Sequence, residues 1–335
     1  MNQAMKKEFK LFASAGVPDP CCVPSKVRAA QLAESRISAA ERARATAGSV
    51  IGMQKLDGGR FLMGTDYAEG FLKDGEGPIR EVTIDPFFID TSPVLNTQFR
   101  EFIQATGYRT ESERFGWSFV FQGHIPKEQY DKVVDDTVAA VQWWCKVTGA
   151  DWQHPEGGDS SIANRDAHPV VHTSWNDAVE YCKWAGKRLA TEAEWEYAAR
   201  GGLEQKLFPW GDDLTPGGKH LSNVWQGEFP DHDSGEDGFT GPCPPVAFPA
   251  NGYGLYTTTG NVWEWCGDWF HPEYHITATR TNPVGPSGGT GKVMKGGSYL
   301  CHKSYCNRYR VAARTSNTLD SATTNTGFRC VRDVA

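Results

Sequence analysis

The chain has 335 residues, of which 39% are hydrophobic and 22% are charged, as in an ordinary soluble globular protein. Its formal net charge of -7 gives no overall positive field, which argues against nucleic-acid binding as the main activity. No apolar run approaches the roughly eighteen residues of a membrane span, so we expect no membrane partner.

The first fifty residues differ in composition from the rest. Residues 25–47 are rich in Ala, Arg and Glu and predict a surface helix that ends near Gly48. The few apolar residues after Lys6 and Lys7 are interrupted by Lys10, which is unlike the core of a secretion signal. We therefore expect residues 1–50 to form a peripheral arm and the protein to be cytoplasmic.

From Ile51 onwards, short apolar runs alternate with Gly, Asn, Asp and Pro. The runs at 61–64 and 81–90 predict strands. A helix is predicted to begin at Asn96, with its apolar side chains on one face, and to end at Gly107.

Two more helices carry clear start and stop signals. One begins at Ser174 and ends at Gly186, and the other begins with the capping box from Thr191 to Glu194 and ends at Gly201. Between residues 205 and 300, the abundance of Gly, Pro, Asn and Asp predicts unusually long loops. Long ordered loops need additional interactions to stabilise one conformation, and a bound metal ion often provides them.

No internal repeat, phosphate-binding loop or glycine-rich dinucleotide fingerprint is present in the sequence. Flavin, nicotinamide and nucleoside-triphosphate chemistry therefore lack support.

Two cysteines stand five positions apart in the segment 296–310, among basic and aromatic residues. If Lys303 and its basic neighbours lie close in space, they favour the thiolate forms of Cys301 and Cys306. Two thiolates suit a soft ion such as Cu(I). Spacing alone leaves a small-loop disulfide, or two unrelated buried thiols, equally open.

The other seven cysteines give no such pattern. Cys145, Cys243 and Cys266 are interpreted as small buried core residues. The adjacent pair Cys21 and Cys22 lies next to two prolines and receives no role.

From about residue 52 to its end, the chain resembles the sulfatase-modifying factor family, the formylglycine-generating enzymes. The paired-cysteine string identifies the activity, whereas the string around Trp263 occurs across a wider superfamily and identifies only the fold. Six strings carry the resemblance, namely 175–189, 154–157, 208–211, 260–265, 296–310 and 327–330.

The resemblance implies a single α+β domain of the C-type-lectin-like kind over residues 51–335, with little regular secondary structure. It also implies a copper-dependent oxidase that uses O2 to convert the cysteine of a Cys-x-Pro-x-Arg motif into formylglycine. The partner would be an unfolded or nascent sulfatase, and we expect a monomer.

In this family, Cu(I) would be held by Cys301 and Cys306, and the substrate thiol would complete the sulfur ligands. Ser298 and Tyr305 flank the pair as catalytic candidates that could hydrogen-bond the substrate or an oxygen species, although a role in the fold is nearly as good an explanation. We interpret His302 as structural, because in an extended segment it would point away from Cys301.

The resemblance places a first calcium site on Asn223, Asp237 and the carbonyls of Val224 and Phe239, which are hard oxygen ligands. Asn and Asp among glycines are otherwise typical of turns.

A second calcium site falls on Thr257, Gly260, Val262 and Glu264. Other family members have Asn where this chain has Thr257, so we expect weaker binding or a water ligand. The alternative is a buried Glu264 paired with an arginine.

Cys182 and Cys330 match a structural disulfide of secreted family members, but in a reducing compartment they could be two packed thiols. Ala199 and Val311 stand where those members have a second disulfide.

Trp117, Trp143 and Trp144 lie in the stretch where we predict the peptide groove, with core packing as the alternative for each. A non-catalytic lectin-like module has no need for both cysteines. A related iron oxygenase would carry a histidine-rich helical domain, and no histidine precedes Ile51.

Overall fold

The computed structural model describes residues 48–334. The predicted helix at 25–47 and the pair Cys21 and Cys22 lie outside the described residues, and the boundary at residue 50 stays a prediction. Within the described range, no helix is both long enough and apolar enough to cross a membrane.

The described residues contain six short α-helices. They are α1 (Asn96–Thr106), α2 (Glu111–Phe115), α3 (Tyr130–Val133), α4 (Trp175–Trp184), α5 (Glu192–Arg200) and α6 (Tyr274–Thr277).

Fifteen strands accompany these helices over the same range. They are β1 (Met53–Leu56), β2 (Gly59–Met63), β3 (Arg80–Ile84), β4 (Phe87–Asp90), β5 (Trp117–Phe121), β6 (Val134–Val138), β7 (Val141–Thr148), β8 (Arg188–Leu189), β9 (Gly227–Glu228), β10 (His232–Asp233), β11 (Trp263–Trp269), β12 (Lys292–Lys295), β13 (Thr315–Asn317), β14 (Thr326–Gly327) and β15 (Cys330–Asp333).

The three helix predictions that fall within residues 48–334 are confirmed. The side chain of Ser174 accepts a hydrogen bond from the N–H of Asp177 at the start of α4, and Thr191 caps α5 in the same way. Gly107 ends α1 and Gly201 ends α5, both in the left-handed conformation that glycine adopts without steric cost.

The strand predictions need one correction. The run at 81–90 is not one strand but two, β3 and β4, separated at Asp85 and Pro86. Proline lacks the N–H that a continuous strand would donate. The two halves pair in different sheets, β3 with β2 and β4 with β1 and β15.

Two four-stranded sheets organise the core. One has the order β1-β4-β15-β8, so the last strand is inserted between early strands. The other has the order β13-β12-β11-β14 and carries the tryptophans of β11. Long loops dominate between α5 and β11, as predicted, with only β9, β10 and two short 3-10 turns between them.

The paired cysteines belong to a hydrophobic core cluster. Cys301 and Cys306 pack with Trp263, Trp265 and Met294 of the second sheet. The candidate site is therefore built against the core, and its geometry depends on the packing of the domain.

Candidate active site around the paired cysteines

The segment from Cys301 to Cys306 forms a tight turn. The carbonyl oxygen of His302 accepts the N–H groups of Tyr305 and Cys306 at 3.0 and 2.8 Å. The turn brings the Sγ atoms of Cys301 and Cys306 to 2.7 Å from each other, and both residues are free thiols with no exposed surface. The spacing of five residues thus produces a pair of facing sulfur atoms.

The extended conformation assumed for His302 is wrong, because the residue lies within this turn. Its ring Nδ1 is 2.8 Å from Ser304 Oγ, and partial burial lowers the pKa of the imidazole. These contacts stay inside the turn, so a structural role for His302 remains our interpretation.

Gly297 fixes the approach of the chain to this turn. Its φ is +72°, and a Cβ at this position would lie 2.7 Å from the Cα of Tyr309. Any other residue would have to displace the backbone that follows the cysteines. The chain therefore needs a glycine at position 297.

Ser298 is fully buried next to the sulfur pair. Its Oγ lies 4.0 Å from Cys301 Sγ and accepts hydrogen bonds from Asn325 Nδ2 at 2.9 Å and Leu300 N–H at 3.3 Å. With both acceptor positions used, the hydroxyl hydrogen is left to point towards the sulfur. Asn325 was not predicted from the sequence, because nothing in its local string indicates contact with Ser298.

Tyr305 contributes its ring to an aromatic wall beside the turn. The ring stacks on Phe229 with a centroid distance of 4.5 Å, and Trp143 meets Tyr305 edge-on at 5.0 Å. We use "aromatic wall" for these three residues. Trp143 and Trp117 are partly buried, whereas Trp144 is 1% exposed and packs in the core.

The arginines near the cysteines have partners of their own. Arg308 Nε lies 2.5 Å from Asp74 Oδ2, and Arg310 forms a two-point contact with Glu76 at 2.6 and 2.7 Å. Lys303 is exposed. Because buried carboxylates neutralise both guanidinium charges, these residues offer the cysteines less positive charge than the sequence suggested.

The donor chemistry of the sulfur pair suits a soft monovalent ion, but the two sulfurs, 2.7 Å apart, would have to separate for both to bind it, because a metal–thiolate bond is about 2.3 Å long. Within residues 48–334, no group of three or more His, Cys, Asp or Glu side chains is arranged to hold a metal, so Cys301 and Cys306 provide two ligands. Two buried sulfurs match Cu(I), and a two-ligand set leaves a position for an incoming thiol.

The family model of the sulfatase-modifying factor enzyme 1-like domain matches residues 38–334. The chain belongs to the sulfatase-modifying factor family. A formylglycine-generating enzyme of Thermomonospora curvata is 58% identical over 84% of this chain and 93% of its own. A mouse protein of the same name is 56% identical over 84% of this chain and 75% of its own.

A solved structure supports the fold independently of close sequence similarity. PvdO from Pseudomonas aeruginosa superposes with a TM-score of 0.61 at 24% identity, covering 84% of this chain and 94% of that one. The mixed α+β architecture and the C-type-lectin-like fold of the sulfatase-modifying factor family, which the resemblance predicted, are confirmed.

The first predicted calcium set of this family converges in one loop. Asp237 Oδ2 accepts the N–H of Val224 at 3.2 Å, and Asp237 Oδ1 accepts the N–H of Phe239 at 2.9 Å. Asn223 lies in the same place, with its Nδ2 donating to Gly241 O at 2.9 Å. In these contacts N–H groups satisfy the oxygens that they meet. Oxygens are the donors that calcium requires, so the chemistry of the set suits the ion, and calcium binding here stays a prediction.

The observations on the second predicted calcium set point in two directions, one for and one against calcium binding. Thr257 Oγ1 is buried and has no hydrogen-bond partner within the described part of the chain, as a free ligand atom would be. The Glu264 carboxylate, however, accepts two hydrogen bonds from Arg329 at 2.6 and 2.7 Å and one from Trp195 at 2.7 Å. This pairing matches the alternative given for Glu264, so calcium fits here less well and stays a prediction.

The structural cysteine positions of the family also meet in space. Cys182 Sγ and Cys330 Sγ are 3.5 Å apart, and both are free thiols in the core. Ala199 and Val311 are both buried members of another core cluster.

Proposed function

We propose that this protein oxidises the cysteine of a Cys-x-Pro-x-Arg segment in an unfolded or nascent sulfatase to formylglycine, with Cu(I) on Cys301 and Cys306 and O2 as co-substrate. Formylglycine generation is the activity named for both relatives described above. The observation that carries the proposal in this chain is the pair of facing, buried sulfur atoms 2.7 Å apart.

The cysteines and the serine of the site would have different roles. Cys301 and Cys306 would bind the copper ion, which when bound supplies the one-electron and O2 chemistry that amino-acid side chains lack. Ser298 would present its hydroxyl hydrogen beside Cys301 Sγ, held there by Asn325. Burial of this hydroxyl strengthens any hydrogen bond that it makes to the substrate, because the local dielectric is low.

The substrate peptide would lie along the aromatic wall. An extended peptide is recognised by main-chain hydrogen bonds and by pockets for alternate side chains, and a proline packs well on aromatic faces. Trp143 Nε1 is buried and has no hydrogen-bond partner within residues 48–334, so a peptide carbonyl would reach it only after the indole moves. The wall therefore supplies an apolar face for the proline of the motif.

The test is oxygen-dependent conversion of a Cys-x-Pro-x-Arg peptide by the full chain, followed by mass spectrometry with and without Cu(I) loading. We expect a copper-stimulated mass loss that corresponds to thiol-to-aldehyde conversion. A folded, copper-loaded protein that leaves the peptide unchanged would favour the non-catalytic binding module instead.

The two neighbouring tryptophans should respond differently to alanine substitution. Trp144→Ala removes a fully buried indole and should cost about 3–5 kcal/mol of unfolding free energy. Trp143→Ala should raise the peptide KM several-fold with a much smaller loss of stability, because the side chain is only partly buried. Urea unfolding and peptide kinetics on both variants separate the effects, and an unchanged KM for Trp143→Ala would remove this residue from the groove.

A further inference from the structure

The loop that carries the first calcium set also contacts the cysteine turn. Val224 is predicted to contribute its carbonyl oxygen to that set. The next residue, Trp225, donates its main-chain N–H to Cys301 O at 3.2 Å. Phe229, four residues further on, stacks on the ring of Tyr305. The position of this loop therefore affects both the backbone of Cys301 and the aromatic wall.

A second connection runs through Asn261, which is fully buried. Its N–H donates to the carbonyl oxygen of Asn223 at 2.8 Å, and its own carbonyl oxygen accepts the N–H of Tyr299 at 2.9 Å. Tyr299 immediately follows Ser298 in the chain. The calcium set is thus linked to both ends of the segment from Ser298 to Cys301.

The side-chain amide of Gln226 lies between two of the predicted calcium ligands. Its Nε2 donates to Asp237 Oδ2 at 2.9 Å and contacts the carbonyl oxygen of Val224. Its Oε1 accepts the N–H of Asp237 at 3.1 Å. An amide N–H and a calcium ion both satisfy oxygen lone pairs, and they cannot fill the same gap together.

We propose that Gln226 and a divalent cation alternate between these oxygens, and that cation binding tightens the hold of Cys301 and Cys306 on Cu(I). The inference rests on the proposed function of the sulfur pair and on the first calcium set. It assigns Gln226 as a positioning residue, which holds Asp237 in the cation-free protein and releases it to the ion.

The physical reason for the coupling is the loss of freedom in the loop. A divalent ion that binds Val224 O and Asp237 fixes the peptide that leads directly to the N–H of Trp225. That N–H then holds Cys301 O in a defined place before copper arrives. Because less ordering remains to be done, copper binding costs less conformational entropy.

The first test measures the Cu(I) affinity of the full chain by competition with a chromophoric Cu(I) chelator, in excess calcium and after calcium removal. We expect about tenfold tighter Cu(I) binding with calcium, within the usual range of coupling between sites. Asp237→Asn should show the weaker Cu(I) affinity both with and without calcium. The control Asp231→Asn, at a nearby exposed position, should show the same calcium-dependent difference in Cu(I) affinity as the unmodified protein. Equal Cu(I) affinity of the unmodified protein with and without calcium would overturn the inference.

The second test uses Gln226→Leu, which removes the competing amide. We expect calcium to bind this variant several-fold more tightly, as measured by calorimetry. Its Tm should fall only in calcium-free buffer, where Asp237 lacks the amide donor, and should equal that of the unmodified protein in excess calcium. An equal loss of Tm in both buffers would mean that Gln226 is merely structural.

These measurements separate the inference from the proposed function. If the protein converts the cysteine peptide with copper but its Cu(I) affinity is the same with and without calcium, the proposed function stands and the coupling is overturned. A folded protein that binds no Cu(I) at all removes the proposed function first, and the coupling with it.

Discussion

Replacing Cys301 with serine should lower the rate of peptide conversion by at least about a thousand-fold while leaving a folded protein. The serine hydroxyl is a hard donor and binds Cu(I) poorly, so the remaining sulfur of Cys306 would be left without its partner. Serine is close to cysteine in size, which limits the disturbance of the core cluster. The same loss is expected for Cys306→Ser, since each sulfur supplies half of the ligand pair.

Cys266→Ser is the matched control for this prediction. Cys266 is also a fully buried free thiol, but it belongs to another core cluster. The Cys266→Ser variant should lose a comparable amount of stability, because it also places a hydroxyl in the core. It should keep its specific activity and its Cu(I) binding. Peptide conversion, Cu(I) affinity and Tm should be measured on all three variants. Normal activity of Cys301→Ser, or an equal loss in Cys266→Ser, would contradict the role assigned to the pair.

The local elements of this fold were predictable because their signals are local. The caps at Ser174 and Thr191 and the stop at Gly201 act within a few residues, and the helices begin and end where these residues predict. The division into two strands was not predicted, although the alternation of apolar residues stops at Asp85 and Pro86 and an unbroken apolar run follows from Phe87 to Ile89. The partners of β3 and β4 decide that division, and they are distant in the sequence.

The candidate site, like the fold, has a part that was predictable from the sequence and a part that was not. The pair Cys301 and Cys306 was predicted from one continuous string and from its resemblance to a family. Its surroundings come from elsewhere in the chain, namely Asn325 beside Ser298, and Phe229 and Trp143 beside Tyr305. No periodicity or spacing in a single sequence reports such contacts, because tertiary packing creates them.

The basic residues after the cysteines show why composition alone can mislead. In the sequence, Arg308 and Arg310 look like a positive environment for thiolates. In the structure, each faces a buried carboxylate, Asp74 or Glu76, which removes most of that effect. Buried charges are normally paired, and the partner decides what the charge does.

Arg329→Met should destabilise the protein by about 3–5 kcal/mol, because it leaves the carboxylate of Glu264 buried without its charged partner. Both residues are only 1% exposed, and two hydrogen bonds join them. The exposed pair Arg60 and Glu81 provides the control, and Arg60→Met should cost less than about 1 kcal/mol. Equilibrium urea unfolding of both variants measures the difference.

A double variant decides whether the lost charge partner or the lost packing is responsible. Adding Glu264→Gln to Arg329→Met removes the uncompensated charge, so it should recover a substantial part of the stability. Calcium gives a second, independent readout at the same carboxylate. If Glu264 ligates calcium, excess calcium should stabilise Arg329→Met more than the unmodified protein, because the ion replaces the missing positive charge. An equal calcium effect on both proteins would leave Glu264 as the partner of Arg329 and the first set as the calcium site of this chain.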